Sequence, residues 1–405
     1  MALIVQKFGG TSVGSIERIE AVADLVVKTR QQGHQVVVVL SAMSGETNRL
    51  INLAKQIDTR PSSRELDVLI STGEQVSVSL LAMAIIKRGH SAVSLLADQV
   101  NILTDNMFGK ARIEGVAATR LKHELEHNRI AIIAGFQGRD VEGNITTLGR
   151  GGTDTSAVEI AAAIKSDECQ IYTDVDGVYT TDPRIEPNAR RMSQVTFAEM
   201  LELASLGAKV LHIRSVEAAG KHNVPLRVLS SFNPDEGTLI SFEENYMPSK
   251  VVSGIASNRD ECLIKVQGVP VGTQYLSKIL KLFAENGIEI DMINQVNHNF
   301  ENIDYAFTVH LNDYLQVLEL LNAHQAQLSA QNICGLTTVA KVSAVGMGMK
   351  SHSGVASLFF DALAQENINI VLVSTSEIKI SVLIDEKYLE LAVRALHKAF
   401  LTENR

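Results

Sequence analysis

Residues 1 to about 245 of this 405-residue chain alternate continuous apolar runs with stretches of helical period. The runs read ALIVQKF (2–8), QVVVVLSAM (35–43), SAVSLL (91–96), RIAIIAGF (129–136), CQIYTDV (169–175) and PLRVLSSF (225–232). A strand that is apolar on both faces has to be covered on both, and helical connections provide the cover. The pattern therefore predicts an α/β fold, a mainly parallel sheet between helix layers. In open sheets of this kind ligands collect at the carboxyl ends of the strands. Polar, glycine-containing segments stand there: KFGGTS after the first run, SAMSGETN after the second, GFQGRD after the fourth and TDVDG after the fifth.

The first of these, KFGGTSVGS (7–15), puts its lysine ahead of the glycines. A Walker-type phosphate loop, GxxxxGK[ST], has the reverse order, and that string does not occur in the chain. Gly9 and Gly10 let backbone N–H groups come close to a ligand, and Ser15 can cap the helix IERIEAVADLVVKT. A lysine facing a helix N-terminus makes an anion site. Taken alone, the stretch reads equally well as a glycine turn with a solvated lysine.

Beyond FNPDEGTLISFEENYMPSK (232–250), a breaker-rich and charged segment, the pattern changes. AENGIEI (284–290) lines up with AQENINI (364–370), an offset of 80 residues. Each copy follows an amphipathic helix, SKILKLF or VASLFFDAL, and leads into a strand, DMINQV or VLVSTSE. Two α+β modules of about 70 residues account for the repeat. The expected division is 1–245, then 250–340, then 341–405.

The formal charge of −9 argues against nucleic acid or an anionic membrane as partner, so an anionic substrate must be met by specific residues. Cys169, Cys262 and Cys334 are too far apart for a CxxC metal site, and their number suits a reducing compartment. No signal peptide is read at the N-terminus, and no apolar run approaches the ~20 residues of a membrane span. A soluble cytoplasmic protein is expected.

Four more segments join KFGGTSVG. GRGGTDTSA (149–157) resembles the phosphate and substrate loop of the aspartate kinases, TDVDGVYTTDPR (173–184) their nucleotide loop, and SAMSGETNRL (41–50) and STGEQVS (71–77) their substrate segments. The five occur in the family's order, and the tail resembles the paired ACT modules that bind regulatory amino acids. The resemblance covers essentially the whole chain. It implies an amino-acid kinase fold followed by two ferredoxin-like ACT modules, in a monofunctional enzyme that phosphorylates the side-chain carboxylate of L-aspartate with ATP and Mg²⁺, the first step towards lysine, threonine and methionine. Thr153 stands where the family often has serine, and Leu229 and Ile213 where arginine and proline are common. GVPVGTQYLS replaces the usual proline-glycine loop of the first ACT copy, and Ser353 precedes Gly354 in the second, which leaves the sensed amino acid open.

A carboxylate nucleophile with a pKa of about 3.9 is already ionised at neutral pH and needs no general base. What it needs is charge compensation and alignment against a polyanion. The resemblance implies that Lys7 stabilises the transferred phosphoryl group, with Gly9 and Gly10 cradling its oxygens. Asp154 orients Lys7; it would otherwise be a helix cap. Arg150 offers a bidentate fork to the α-carboxylate of aspartate. Glu74 pairs with the ammonium, unless it only complements a helix dipole. Ser41 and Thr47 hydrogen-bond substrate oxygens. Thr173, Asp174, Tyr179, Arg184 and Lys209 are the nucleotide contacts, although DVDG and TTDP are also ordinary turn sequences. No protein ligand to magnesium is named, because Mg²⁺ tends to keep phosphate oxygens and water around it.

The same resemblance implies feedback inhibition by lysine, alone or with threonine. Effector contacts are expected at Ile293, Asn294 and Gln295 in the first module and at Gly354, Val355, Asn369 and Ile370 in the second. A homo-oligomer joined partly through these modules is expected. Met247 offers an internal start for a shorter, ACT-only partner chain. Two competing readings are a kinase of another amino acid or nucleotide and an amino-acid sensor whose kinase half has lost activity.

Overall fold

The computed structural model describes all residues except 208, 209, 234, 243–250, 298–300 and 403–405. It divides into two compact units. The first comprises Met1–Val178, Arg191–Ala204 and Lys209–Met247, and the second Tyr179–Arg190, Ser205–Ala208 and Pro248–Arg405.

The first unit is built on an eight-stranded sheet. Its spatial order is Gln194–Thr196, Thr238–Ser241, Leu226–Ser230, Glu168–Thr173, Leu3–Phe8, Gln35–Leu40, Ile130–Ala134 and Ala92–Leu95. Each of the six apolar runs supplies one strand. Every neighbouring pair is parallel except Leu226–Ser230 with Thr238–Ser241. The central strands are sealed because Val36 to Leu40 and Ile130 to Ala134 are buried on both faces. On one face Phe8, Val38, Ile132 and Tyr172 meet Ile19, Val22 and Val26 of the helix Ile16–Gln31 and Val78, Leu81 and Ile85 of the helix Thr72–Lys87. Ser15 accepts the Arg18 N–H at 3.3 Å and caps the first of these helices, as its position ahead of the periodic stretch predicts.

A second sheet, Ile113–Val116, Ile102–Thr104, Gln137–Arg139 and Ile145–Thr147, has no counterpart among the apolar runs of the sequence. Its strands are too short for periodicity to show. Fully buried Asp67 ties it to the helix Ser63–Ile70, its carboxylate accepting the Thr147 N–H at 2.8 Å, the Thr147 hydroxyl at 2.7 Å and the Gly109 N–H at 2.9 Å.

Residues 63–87, two successive helices, are long and apolar enough to cross a membrane by length and composition, although serines and charges interrupt the run. Burial explains the composition: 56% of the most apolar window is enclosed within the protein.

The second unit holds two four-stranded antiparallel sheets, each backed by two long helices. The first runs Ile290–Asn297, Asn302–His310, Glu261–Pro270, Asn332–Leu336, with helices Thr273–Glu285 and Tyr314–Ala323. The other runs Gly254–Asn258, Val339–Val345, Lys379–Asp385, Ile370–Thr375, with helices Val355–Gln365 and Leu389–Leu401. The repeated helix–strand units fall at equivalent places in both. Gly254–Asn258 precedes the first module in sequence yet pairs with Val339–Val345, so the first module is inserted after the opening strand of the second.

Candidate active site

Lys7 is the last residue but one of the strand Leu3–Phe8 and is 8% exposed. Its register partners Val39 and Ile171 flank it on either side. Nζ lies 2.5 Å from Oδ1 of Asp154, in the first turn of the helix Gly152–Ile164. A Cβ on Gly9 would come within 3.4 Å of that Nζ, so the glycine leaves bare backbone against the ammonium. At Gly10 a Cβ would meet the Ala42 carbonyl at 3.0 Å, which shows how tightly the loops after the first and second strands pack.

The loop after the second strand connects these groups to the rest of the site. The Ala42 N–H donates to Oε1 of Glu74 at 3.0 Å, and the Ser77 hydroxyl donates to the Ser41 carbonyl at 2.8 Å. Ser41 Oγ donates to Thr153 Oγ1 at 2.9 Å, so the hydroxyl kept by threonine at this position is in use. Glu74 sits in the first turn of Thr72–Lys87 and is 2% exposed. Burial pushes its pKa up to about 7, against the opposing pull of the Ala42 N–H, and Oε2 has no hydrogen-bond partner within the protein. A buried carboxylate oxygen left unpaired can accept a cationic group from a ligand.

Arg150 is exposed between Gly149 and Gly151, both at φ +74°. Thr47 is half-buried in the first turn of the helix Glu46–Ile57, behind Gly45. Thr173 closes the strand Glu168–Thr173; its hydroxyl donates to exposed Asp174 at 3.0 Å. The end of this strand is tied to the glycine loop: the Gly9 N–H reaches the Tyr172 carbonyl at 3.4 Å, and Ser12 donates to Ser231, whose N–H donates to the Thr173 carbonyl.

Lys7, Gly9, Gly10, Ser41, Glu74 and Asp154 are thus joined by a continuous set of contacts. Tyr179 and Arg184 belong to the segment Tyr179–Arg190 of the second unit, where Arg184 pairs with Asp182 at 2.7 Å. Lys209 lies outside the described residues.

Three residues near the site carried no readable motif. His212 caps the helix Ile213–His222, and a Cβ on Gly151 would fall 2.2 Å from its Cγ. Its pKa is lowered by burial first and by Arg214 next, with Asp154 opposing and Arg150 adding to the lowering, so the imidazole shares the field of the glycine-rich loop. Arg214 donates to the Leu148 carbonyl at 3.3 Å. Arg18 donates to the Ser231 carbonyl at 2.8 Å and lies over the Phe232 ring at 3.9 Å. Only folding brings these side chains to the strand ends.

In the second unit, Ile293, Asn294 and Gln295 occupy the edge strand Ile290–Asn297, and Asn294 Nδ2 is buried without a partner. Gly354, at φ +93°, caps the helix that Val355 opens; exposed Asn369 leads into Ile370, the first residue of the other edge strand.

The amino acid kinase family model matches residues 2–230, and an ACT domain model matches residues 342–400. The chain is 60% identical to an aspartokinase of Pseudomonas aeruginosa, over 99% of this chain and 98% of that protein. It is 50% identical to an aspartokinase of Helicobacter pylori, over 98% of this chain and 99% of the relative. Among solved structures, Escherichia coli aspartokinase III in complex with aspartate and ADP, in its R-state, matches with a TM-score of 0.83 at 27% identity, over 98% of this chain and 99% of that one. Its T-state complex with lysine and aspartate gives 0.78 at 27% identity, over 99% and 100%. The family model and these relatives define an amino acid kinase, and the chain belongs to that family. Within it, the chain groups with the aspartokinases.

Proposed function

We propose that this chain transfers the γ-phosphoryl group of ATP to the side-chain carboxylate of L-aspartate, forming 4-phospho-L-aspartate and ADP. The reading rests chiefly on one observation: buried Lys7, held by Asp154 at 2.5 Å, sits in one contact network with buried Glu74 and its unpaired Oε2. Lys7 neutralises charge on the phosphoryl group as it leaves ADP, and the Gly9 and Gly10 amides take its oxygens. Asp154 keeps the ammonium aligned and takes no proton. Glu74 receives the substrate ammonium and Arg150 its α-carboxylate, while Ser41 and Thr47 hold the remaining oxygens. The aspartate carboxylate attacks in line, already ionised.

Thr173, Asp174, Tyr179, Arg184 and Lys209 are the proposed nucleotide contacts. Among the described residues no group of three or more His, Cys, Asp or Glu gathers as a metal site, and Asp154 is engaged by Lys7. Mg²⁺ would be carried on the phosphates and water, where it would screen their charge. The product feeds lysine, threonine and methionine synthesis in the cytoplasm. Lysine, alone or with threonine, inhibits through Ile293, Asn294, Gln295, Gly354, Val355, Asn369 and Ile370, in a homo-oligomer joined through the ACT modules.

Coupled ADP release tests the reading, run with aspartate, glutamate and acetylglutamate and repeated with lysine, threonine and both. Release that depends on aspartate and falls with an effector is expected. Release indifferent to aspartate would remove the proposed reaction, and activity unmoved by any effector would remove the regulation.

A further inference from the structure

The chain reads HELEH at 123–127, an H-E-x-x-H string that lies outside every motif of the candidate active site. On a helix this spacing puts two imidazoles on one face, and helical zinc sites use it to hold their metal, with the glutamate as general base. The string here falls on the helix Thr119–Glu126, and His127 is the C-terminal cap of that helix. His123 and His127 stand side by side and exposed, with ring centroids 4.3 Å apart and planes tilted by 37°. The glutamate is otherwise engaged: Glu124 is fully buried and pairs with Arg120 at 2.6 Å and Arg129 at 3.0 Å. It is not free to activate a metal-bound water, so the string is fitted for binding and not for hydrolysis.

The ring nitrogens differ in what they already do. His127 Nδ1 lies 2.8 Å from the His123 carbonyl, which can only accept, so Nδ1 carries the proton and Nε2 keeps its lone pair in the neutral ring. Ligating histidines are ordinarily fixed in this way, by an N–H given to a carbonyl or carboxylate from the other ring nitrogen. His123 has its Nδ1 on the side of the Glu124 carboxylate, 3.7 Å from Oε1. Neither Nε2 has a hydrogen-bond partner among the described residues. The helix ends here, and the carbonyls of its last turn make this end electronegative, which favours a cation. His324 and His352 make the same bond to the carbonyls of Leu320 and Gly348, so there no second histidine stands four residues back. The bond by itself is a cap, and the second imidazole turns the cap into a chelating pair.

We infer that His123 and His127 form a surface site for a divalent transition metal of the zinc, nickel or copper class, bound through both Nε2 atoms with water in the remaining positions. Imidazole nitrogen suits these ions, whereas magnesium takes oxygen ligands. The site is separate from phosphoryl transfer and needs neither ATP nor aspartate. With two protein ligands it holds its metal less firmly than a three- or four-ligand zinc site and leaves it exchangeable.

Calorimetric titration of the full chain with Zn²⁺ tests the site, in a Cys334→Ser background because that thiol is exposed. Binding of Zn²⁺ that excess Mg²⁺ does not displace is expected. His123→Ala weakens it about tenfold or more, because a chelate becomes a single imidazole. That substitution raises helix propensity and leaves the His127 cap in place, so the lost metal is not lost fold. His127→Ala has the same effect, and His324→Ala combined with His352→Ala has none. With Cu²⁺ in place of Zn²⁺, electron paramagnetic resonance shows coupling to two imidazole nitrogens in the parent chain and to one in either single variant. Equal zinc affinity in the parent and in the His123→Ala, His127→Ala double variant overturns the proposal. Binding that survives removal of one histidine undiminished also overturns it, because that is an adventitious ion on a lone imidazole.

Discussion

Lys7 and Glu74 bring opposite charges to the site. Lys7→Ala is expected to lower kcat by about 10²–10³ with a much smaller change in KM for ATP, because the ammonium matters most when charge develops on the transferring group. Steady-state kinetics at saturating aspartate checks this. Glu74 titrates near 7 because it is buried, so the apparent KM for aspartate rises as pH falls from 8 to 6 and the ionised form is lost. In Glu74→Gln that dependence flattens and KM is high throughout. The stability effect has the opposite sign. A carboxyl whose folded pKa is raised binds more protons folded than unfolded, so its contribution is full below about 4.5 and disappears as pH rises through about 7. Glu74→Gln should therefore melt no lower than the wild type at pH 8, and higher if the substrate-free site relaxes little. Lys7, Ser41 and Thr173 were legible because their segments close long apolar strands, whereas Glu74, Arg150 and Asp154 were legible only through the resemblance of their segments to the family's. His212, Arg214 and Arg18 were not, since no local pattern separates a histidine cap or a helix arginine from any other.

Where loops meet, the constraint is backbone proximity. Gly73 stands in the first turn of the helix bearing Glu74, and a Cβ there would lie 2.8 Å from the Cβ of Ala42. Gly73→Ala is expected to push that helix start away from the Ser41–Ala42 loop and raise KM for aspartate about tenfold, with little change in KM for ATP. Gly151→Ala meets a positive φ as well as the His212 ring, and should cost about 1–3 kcal/mol in a denaturant titration. Six apolar runs announced six strands of the large sheet, since a strand covered on both faces has to be apolar throughout. The small sheet, with strands of 3–4 residues, stayed hidden because such segments carry no usable period.

Across the chain, the two ACT modules share a buried ion group. Lys341, 1% exposed on Val339–Val345, donates to Glu261 at 2.9 Å and also pairs with Asp291, both in the other module's sheet. Lys341→Ala strands two acids and should destabilise the second unit by about 3–5 kcal/mol in chemical denaturation. Lys341→Met combined with Glu261→Leu should recover most of the loss, because it removes the burial cost along with the attraction. The repeat at an offset of 80 residues announced two modules. It could not announce that one is inserted in the other, because strand pairing between Gly254–Asn258 and Val339–Val345 leaves no mark in either segment. Local order determined which segments are strands, which are helices and which polar loops follow the strands, since burial pattern and turn chemistry act between near neighbours. Tertiary structure alone decided that Glu74 would lose its water, that Asp154 would meet Lys7 and that Tyr179–Arg190 would join the second unit. Those outcomes depend on desolvation and contact between residues distant along the chain, which no short stretch encodes.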